Sequence, residues 1–159
     1  MEKAALAGNL TVTIKQISKT PITIKVEVKN KSTRPITFLN DSTPLDPEAF
    51  GLGLFHITPH KLPNVNFGNR VLPSRPHSYS YRSLIELSPG MAISDTVMIK
   101  AGNSTLKKEW AKMLVVADKL QARMKGDWKG LWGRERDGAR ELVAEHAPFE
   151  SNMIELEFE

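Results

Sequence analysis

The chain has 159 residues, contains no cysteine and carries a formal net charge of +4. A single domain of this length buries roughly 70% of the surface that its unfolded form exposes, so it can fold without a disulfide or a structural metal. The absence of cysteine excludes disulfides, thiolate nucleophiles and sulfur-ligated zinc. We expect one domain over residues 1–159, with residues 1–8 flexible.

The cellular location follows from segments that the sequence lacks. The N-terminal residues form no apolar run of signal-peptide length, and no stretch approaches the length of a membrane span. These features predict a cytoplasmic protein that does not bind membranes, or a secreted one whose leader has been removed. Four N-glycosylation sequons begin at Asn9, Asn30, Asn40 and Asn103. They indicate either a secreted glycoprotein or chance occurrence in polar turns, and the missing leader favours chance.

The basic residues of the first third are spread along alternating segments. Lys25 and Lys29 are separated by apolar residues, as on the solvent face of a strand. Nucleic-acid-binding proteins instead concentrate positive charge on one surface. The pattern therefore predicts no nucleic-acid partner.

The first strands are the clearest elements. Apolar and polar residues alternate over Leu10–Lys15 and again over Ile22–Lys29, and a third apolar run follows at Pro35–Leu39. Thr20-Pro21 and Asn30–Thr33 separate the three segments. The pattern predicts an antiparallel meander of three strands with one buried face.

The middle of the chain alternates between loops and short strands. A loop is expected over Asn40–Gly51, a strand over Leu52–Thr58, and strands over Ser83–Leu87 and Met91–Lys100. Residues Lys61–Arg82 contain three prolines, three asparagines and one glycine, which predicts a long irregular excursion with at most a short strand at Asn69–Leu72. Such excursions often carry function.

The C-terminal part changes period twice. Apolar spacing of three and four predicts a helix over Leu106–Asp118, and a second over Asp137–Glu145 that ends before Pro148. Strands are expected over Leu120–Lys125 and Asn152–Glu159. The chain is therefore predicted to be mostly β: an immunoglobulin-like antiparallel β-sandwich of seven to eight strands, with one or two short helices in the C-terminal half.

Several of these segments carry a family resemblance. The strands from Leu10 to Phe38 resemble the immunoglobulin-like pro-domain of fungal deuterolysin-type metalloproteases. They resemble more closely the small stand-alone fungal proteins related to that pro-domain. In those proteins we also expect the Ser42–Pro47 run with Gly51-Leu52, the Leu87-Ser88-Pro89-Gly90 turn and a late Met124–Trp132 segment. The first half is also similar to bacterial intracellular proteinase inhibitors of sandwich fold. The resemblance implies the fold and an association with protease chaperoning or inhibition.

No motif indicates catalysis. His56 and His60 lie four apart, so they suggest either a metal site completed by His77 or Asp46, or ordinary polar histidines, and the second interpretation is favoured. No serine lies in a nucleophile elbow, and Gly51-Leu52-Gly53 is too short for a phosphate-binding loop. We predict no catalytic residue, no metal and no cofactor, and we incline to a protein that is not an enzyme.

The aromatic residues offer the strongest binding candidates. Trp128 and Trp132 are four apart and are expected to point the same way in an extended segment, as are Tyr79 and Tyr81. They either form a binding patch or fill the end of the core. The predicted binding residues are Trp128, Trp132, Tyr79, Tyr81, His77, Asp46 and Phe50.

Three functions remain open. The first is a non-enzymatic protein-interaction module whose loops around 41–50, 77–81 and 128–132 bind a partner, with a protease the leading candidate. The second is a small isomerase or cyclase, or a carrier of a hydrophobic ligand, in which an aromatic pocket is assisted by His77, Tyr79 or Asp46. The third is a homo-oligomer formed through an exposed edge strand.

Overall fold

The computed structural model describes residues 7–19, 22–46, 49–50, 52–59, 84–99, 119–134 and 145–157. Nine strands lie within these ranges: β1 Leu10–Lys19, β2 Ile22–Asn30, β3 Ile36–Leu39, β4 Phe55–Pro59, β5 Leu84–Leu87, β6 Ala92–Met98, β7 Leu120–Trp132, β8 Glu145–Glu150 and β9 Ile154–Leu156. The helix predicted over 106–118 and the short strand predicted over 69–72 lie outside the described residues.

The strands form a β-sandwich. Sheet 1 has the order β1-β2-β6, and sheet 2 has the order β4-β7-β3-β5, with β8 and β9 also paired to β7. All pairings are antiparallel. The predicted fold class is confirmed, with one more strand than the upper expectation of eight.

Alternation decides which side chains enter the core. In sheet 1, Val12 on β1 and Ile24, Val26 and Val28 on β2 are buried, whereas the residues between them face outwards. Leu156 on β9 closes the core from the other sheet. Each such side chain stabilises the fold by about 1.5–3 kcal/mol relative to an exposed position, which makes the two-sided burial the main source of stability.

The predicted three-strand meander is wrong in its third member. β2 pairs with β1 and β6, whereas β3 pairs with β5 and β7 in sheet 2. All four residues of β3 are buried, so β3 has no solvent face and suits the middle of a sheet better than its edge. The polar segment after Asn30 is therefore a crossing between sheets and not a hairpin turn.

Strand β8 was not predicted from the sequence. The predicted helix over Asp137–Glu145 falls outside the described residues except for Glu145, which begins β8. Pro148 lies within β8, opposite Asp127. β8 pairs only with β7 among the described strands, and an outer strand tolerates a proline because one of its two edges needs no backbone donor.

Strand β7 organises sheet 2. It runs for 13 residues, twice the predicted length, and it pairs with β4 and β3 along one edge and with β9 and β8 along the other. Gly126 allows Phe149 to pack against β7, because a Cβ at position 126 would lie 2.8 Å from Cζ of Phe149. The glycine thus lets the Phe149 ring lie directly on the strand.

The outer edge of β1 is joined to the C-terminal segment through two side-chain amides, Asn152 from that segment and Gln16 from β1 itself. Ile14 N–H donates to Oδ1 of Asn152 at 2.8 Å, and Nδ2 of Asn152 donates to the Ile14 carbonyl at 3.1 Å. Gln16 makes the same two-bond exchange with the backbone of Glu157, at 2.7 Å for each bond. Each amide therefore takes the place of a paired peptide group.

Candidate functional site

Trp128 lies in the core. It is 1% exposed, and its ring centroid lies 5.0 Å from that of Phe38 and 5.2 Å from that of Phe149. Within the part of the chain that the structure describes, its Nε1–H has no hydrogen-bond acceptor. Of the two roles that the sequence left open, this position corresponds to core filling, so substituting Trp128 would perturb folding before it reported on binding.

Trp132 lies on the opposite face of β7, which corrects the expectation that the two tryptophans point the same way. The register between β7 and β8 shifts between Trp128 and Leu131, so the strand contains a bulge there. Leu131 is therefore buried, and the half-buried Trp132 ring lies against Gly130, where a Cβ would be 3.0 Å from Cη2. A strict alternation was assumed, and one extra residue reverses it.

Asp46 and Phe50 hold the loop after β3. Asp46 is 1% exposed, and its Oδ2 accepts a 2.8 Å hydrogen bond from the N–H of Ser42, which has a φ of 57°. The Phe50 ring is half-buried, 6.4 Å from the Phe55 ring. Both side chains support the loop; a binding role for either stays a prediction.

The remaining predicted binding residues, His77, Tyr79 and Tyr81, lie outside the described residues, as does His60. Within the described ranges, no group of three or more His, Asp or Glu side chains is arranged to hold a metal ion. In the same ranges, no helix is long and apolar enough to cross a membrane.

An open depression of about 550 Å³ lies on the outer face of sheet 2. Its lining includes His56, Lys125, Asp127, Phe149 and Glu150. Glu150 Oε1 lies 3.6 Å from Lys125 Nζ and 3.4 Å from Nη1 of Arg123.

The histidine of this depression is held towards its neutral form. Burial, then the adjacent Lys125, then Arg123 lower the pKa of His56, and Glu150 opposes them. Opposite charges are already paired across the depression, so its chemistry is that of a solvated ion-pair cluster.

The least covered part of sheet 1 is β6. Seven of the eight residues from Met91 to Met98 are exposed, and Val97 is the buried one. Met91 is 51% exposed, Ile93 37% and Met98 45%, which makes three of the five exposed large apolar side chains among the described residues. Large apolar side chains clustered at a sheet edge indicate a contact surface.

The backbone of β6 also has an open edge. Asn30 N–H donates to the Met91 carbonyl and Ile99 N–H donates to the Ile22 carbonyl, each at 2.9 Å. In an antiparallel pair, bonded and non-bonded positions alternate, so the odd-numbered residues of β6 bond to β2. The peptide groups of Ala92, Ser94, Thr96 and Met98 therefore point to the outer edge, where no other described strand pairs with them.

One side chain partly blocks strand pairing at this edge. Oδ1 of Asp95 accepts a 2.8 Å hydrogen bond from the N–H of Thr96, in an exposed position. Asp95 lies opposite the buried Val26, so it occupies a position on the inward-facing side of the strand. Inward-placed charges are one way in which edge strands are kept from pairing at random.

This surface was not predicted as a binding site, although a strand was expected here and an exposed edge was considered for oligomers. A signal was present: a charged residue, Asp95, stands at a position whose neighbours Ile93 and Val97 are apolar. A charge in the apolar register predicts that the strand is not fully covered.

The comparisons agree with the architecture. The model of an immunoglobulin-like domain family matches residues 9–159. No curated protein matches the chain. Because the match covers nearly the whole sequence, the chain belongs to this immunoglobulin-like domain family.

Proposed function

We propose that this protein is an interaction module that binds another protein through β6, its open edge strand. The observation that carries the proposal is the combination, on one strand, of exposed apolar side chains and outer-edge peptide groups with which no other described strand pairs. An extended segment added to such an edge gains main-chain hydrogen bonds, and the side chains beside it give specificity. Immunoglobulin-like domains are commonly protein-interaction modules.

We further propose a protease, or the precursor of one, as the first partner to test. The support is the resemblance of the first strands to protease pro-domains and of the first half of the chain to proteinase inhibitors. The loop after β3 is also firmly supported, because Thr43 and Asp46 are buried and hydrogen-bonded. Preorganised surfaces of this kind move little on binding.

Site-specific crosslinking tests the module directly. A photo-crosslinking amino acid replaces Ser94, whose peptide group points to the open edge, and in the control it replaces Thr13, which is exposed on the outer face of β1. We expect discrete protein adducts in a lysate of the source organism, and with candidate proteases, from position 94 and not from position 13. Equal labelling from both positions would refute the proposal.

A second variant tests whether main-chain pairing is used. Ser94→Pro removes the edge N–H and leaves the bonds to β2 in place, whereas Ser94→Ala keeps that N–H. We expect the proline variant to lose the adduct formed from a probe at Ala92, and the alanine variant to retain it. Matching circular dichroism spectra establish that both variants are folded.

A carrier or small enzyme remains the other candidate from the sequence. That function calls for an apolar cavity with inward-pointing polar groups. The depression at His56 has paired charges in its lining and is open to solvent, so it does not favour this candidate. His77 and Tyr79, on which the alternative depends, lie outside the described residues.

A further inference from the structure

Asp95 gives the β6 edge a preference among partners. It stands between Ile93 and Val97 on the inward-facing side of the strand, opposite Val26 of β2. Among the described residues, no ion pair involves it. Its carboxylate contacts the protein through the exposed bond to the N–H of Thr96. A negative charge without a cationic partner thus stands in the middle of the proposed docking strand.

An added strand would place one side chain beside this carboxylate. The peptide group of Asp95 points towards β2, so its neighbour on an added strand occupies a non-hydrogen-bonded position, where the two side chains lie closest. Residues two positions away on the added strand lie beside Ile93 and Val97. The residues between them lie beside Ser94 and Thr96, on the outer face.

Resting on the proposed function, we infer that the β6 edge selects an extended segment with a lysine or arginine beside Asp95, apolar residues two positions to either side, and small polar residues between. The cation attracts the carboxylate away from the N–H of Thr96 and so frees that donor for the incoming strand. The hydrogen bond between Asp95 and the N–H of Thr96 is therefore broken by a partner that carries a cation at this position.

A second copy of this chain fits the edge poorly. If two β6 strands paired symmetrically about Asp95, the two carboxylates would lie side by side, and like charges in that position are destabilising. If they paired about Ser94, each carboxylate would lie against an Ile93 side chain and lose its water. The charge thus disfavours self-pairing and favours a basic partner.

Two synthetic peptides test the inference on the full chain. Both are capped at their ends and read Ser-Val-Ser-X-Ser-Val-Ser, with X either lysine or glutamate. Binding is followed by the amide signals of Ala92, Ser94 and Met98 in the ¹⁵N-labelled protein. We expect the lysine peptide to bind roughly two- to fivefold more tightly than the glutamate peptide, with the preference shrinking in 1 M salt.

Two substitutions separate the charge from the shape of the edge. Asp95→Asn keeps an oxygen for the N–H of Thr96 and removes the charge, so it should abolish the preference. Asp95→Lys should reverse it. Equal binding of both peptides to the wild type, a preference that survives Asp95→Asn, or no movement of the β6 signals with either peptide would each overturn the inference.

The controls keep this inference separate from the proposed function. If crosslinking from Ser94 succeeds while the peptides show no charge preference, the edge binds a partner but Asp95 does not select it. If the peptides show the preference while no protein adduct forms, the selection is real and the proposed cellular role fails. Concentration-dependent broadening of the β6 signals without peptide would identify a second copy as the occupant and overturn the inference.

Discussion

Asn30 should be among the most sensitive positions outside the hydrophobic core. It is fully buried, and its Nδ2 donates to the carbonyls of Arg34 and Leu87, each at 2.9 Å. Its Oδ1 accepts from the N–H of Ser32 at 2.9 Å and from the Ser32 hydroxyl at 2.7 Å. One side chain thus joins the end of β2, the crossing to β3 and the end of β5.

The cost of Asn30→Ala follows from these bonds. The Leu87 carbonyl becomes a buried acceptor without a donor, at about 1–3 kcal/mol, and the three partly buried bonds add about 0.5–1 kcal/mol each. We expect a loss of about 4 kcal/mol in the free energy of unfolding, a large share of the ~5–15 kcal/mol typical of a domain. Urea denaturation followed by tryptophan fluorescence measures it. A loss below about 1 kcal/mol would refute the reasoning.

Asn30→Asp adds a test of sign. The carboxylate would face two carbonyl oxygens that previously received N–H groups, so burial and repulsion should raise its pKa above the value of about 3.9 in the unfolded chain. The folded state then binds more protons than the unfolded state. The variant should be most stable near pH 4 and lose stability as the pH rises. Asn152→Ala removes two side-chain hydrogen bonds at an exposed residue and serves as the milder control.

Three further outcomes follow from the structure. Gly126→Ala should lower the stability by about 1–3 kcal/mol, because the new Cβ lies 2.8 Å from the buried Phe149 ring. Gly130→Ala should cost less, because the closest contact of its Cβ is the far end of a half-buried tryptophan, and thermal melting measures both variants. Burial and two adjacent cations lower the pKa of His56, so the folded state loses stability as the pH falls below about 6.5, and His56→Gln should flatten that loss in denaturation curves at pH 7 and 5. In a secretory host, peptide mass spectrometry should find Asn30 without a glycan, because both of its Nδ2 hydrogens are donated inside the protein.

Strands β1 and β2 of sheet 1 were predictable because each has one buried face and one face exposed to solvent. Alternation in β1 and β2 is a local property, so the sequence reveals both the strands and the buried side chains Val12 and Val26. The sheet to which β3 belongs was not predictable, because a run buried on both faces carries no sidedness. β8 escaped prediction because Pro148 suggests an interruption, and pairing with β7 is a non-local fact.

The candidate site shows the same division between local and non-local information. Met91 and Ile93 are exposed, although both are residue types that usually lie in a core, so residue type alone would suggest that they are buried. Their exposure depends on β6 forming the edge of sheet 1, which pairing with β2 decides. The bulge after Trp128 likewise depends on register with β8, and it moved Trp132 to the other face. Which face of a strand is apolar can be read from the local sequence, whereas whether another part of the chain packs on that face depends on distant residues.

The two edges of sheet 1 differ in how firmly they are closed, and this difference argues for β6 as the docking strand. Displacing the C-terminal segment from β1 breaks four hydrogen bonds, two between the Asn152 side chain and Ile14 and two between the Gln16 side chain and Glu157. At about 1 kcal/mol each, that is about 4 kcal/mol before a partner gains anything. Opening β6 breaks one exposed bond, between Asp95 and Thr96, and a cation beside Asp95 offsets that loss. A partner strand that could reach both edges would therefore add to β6.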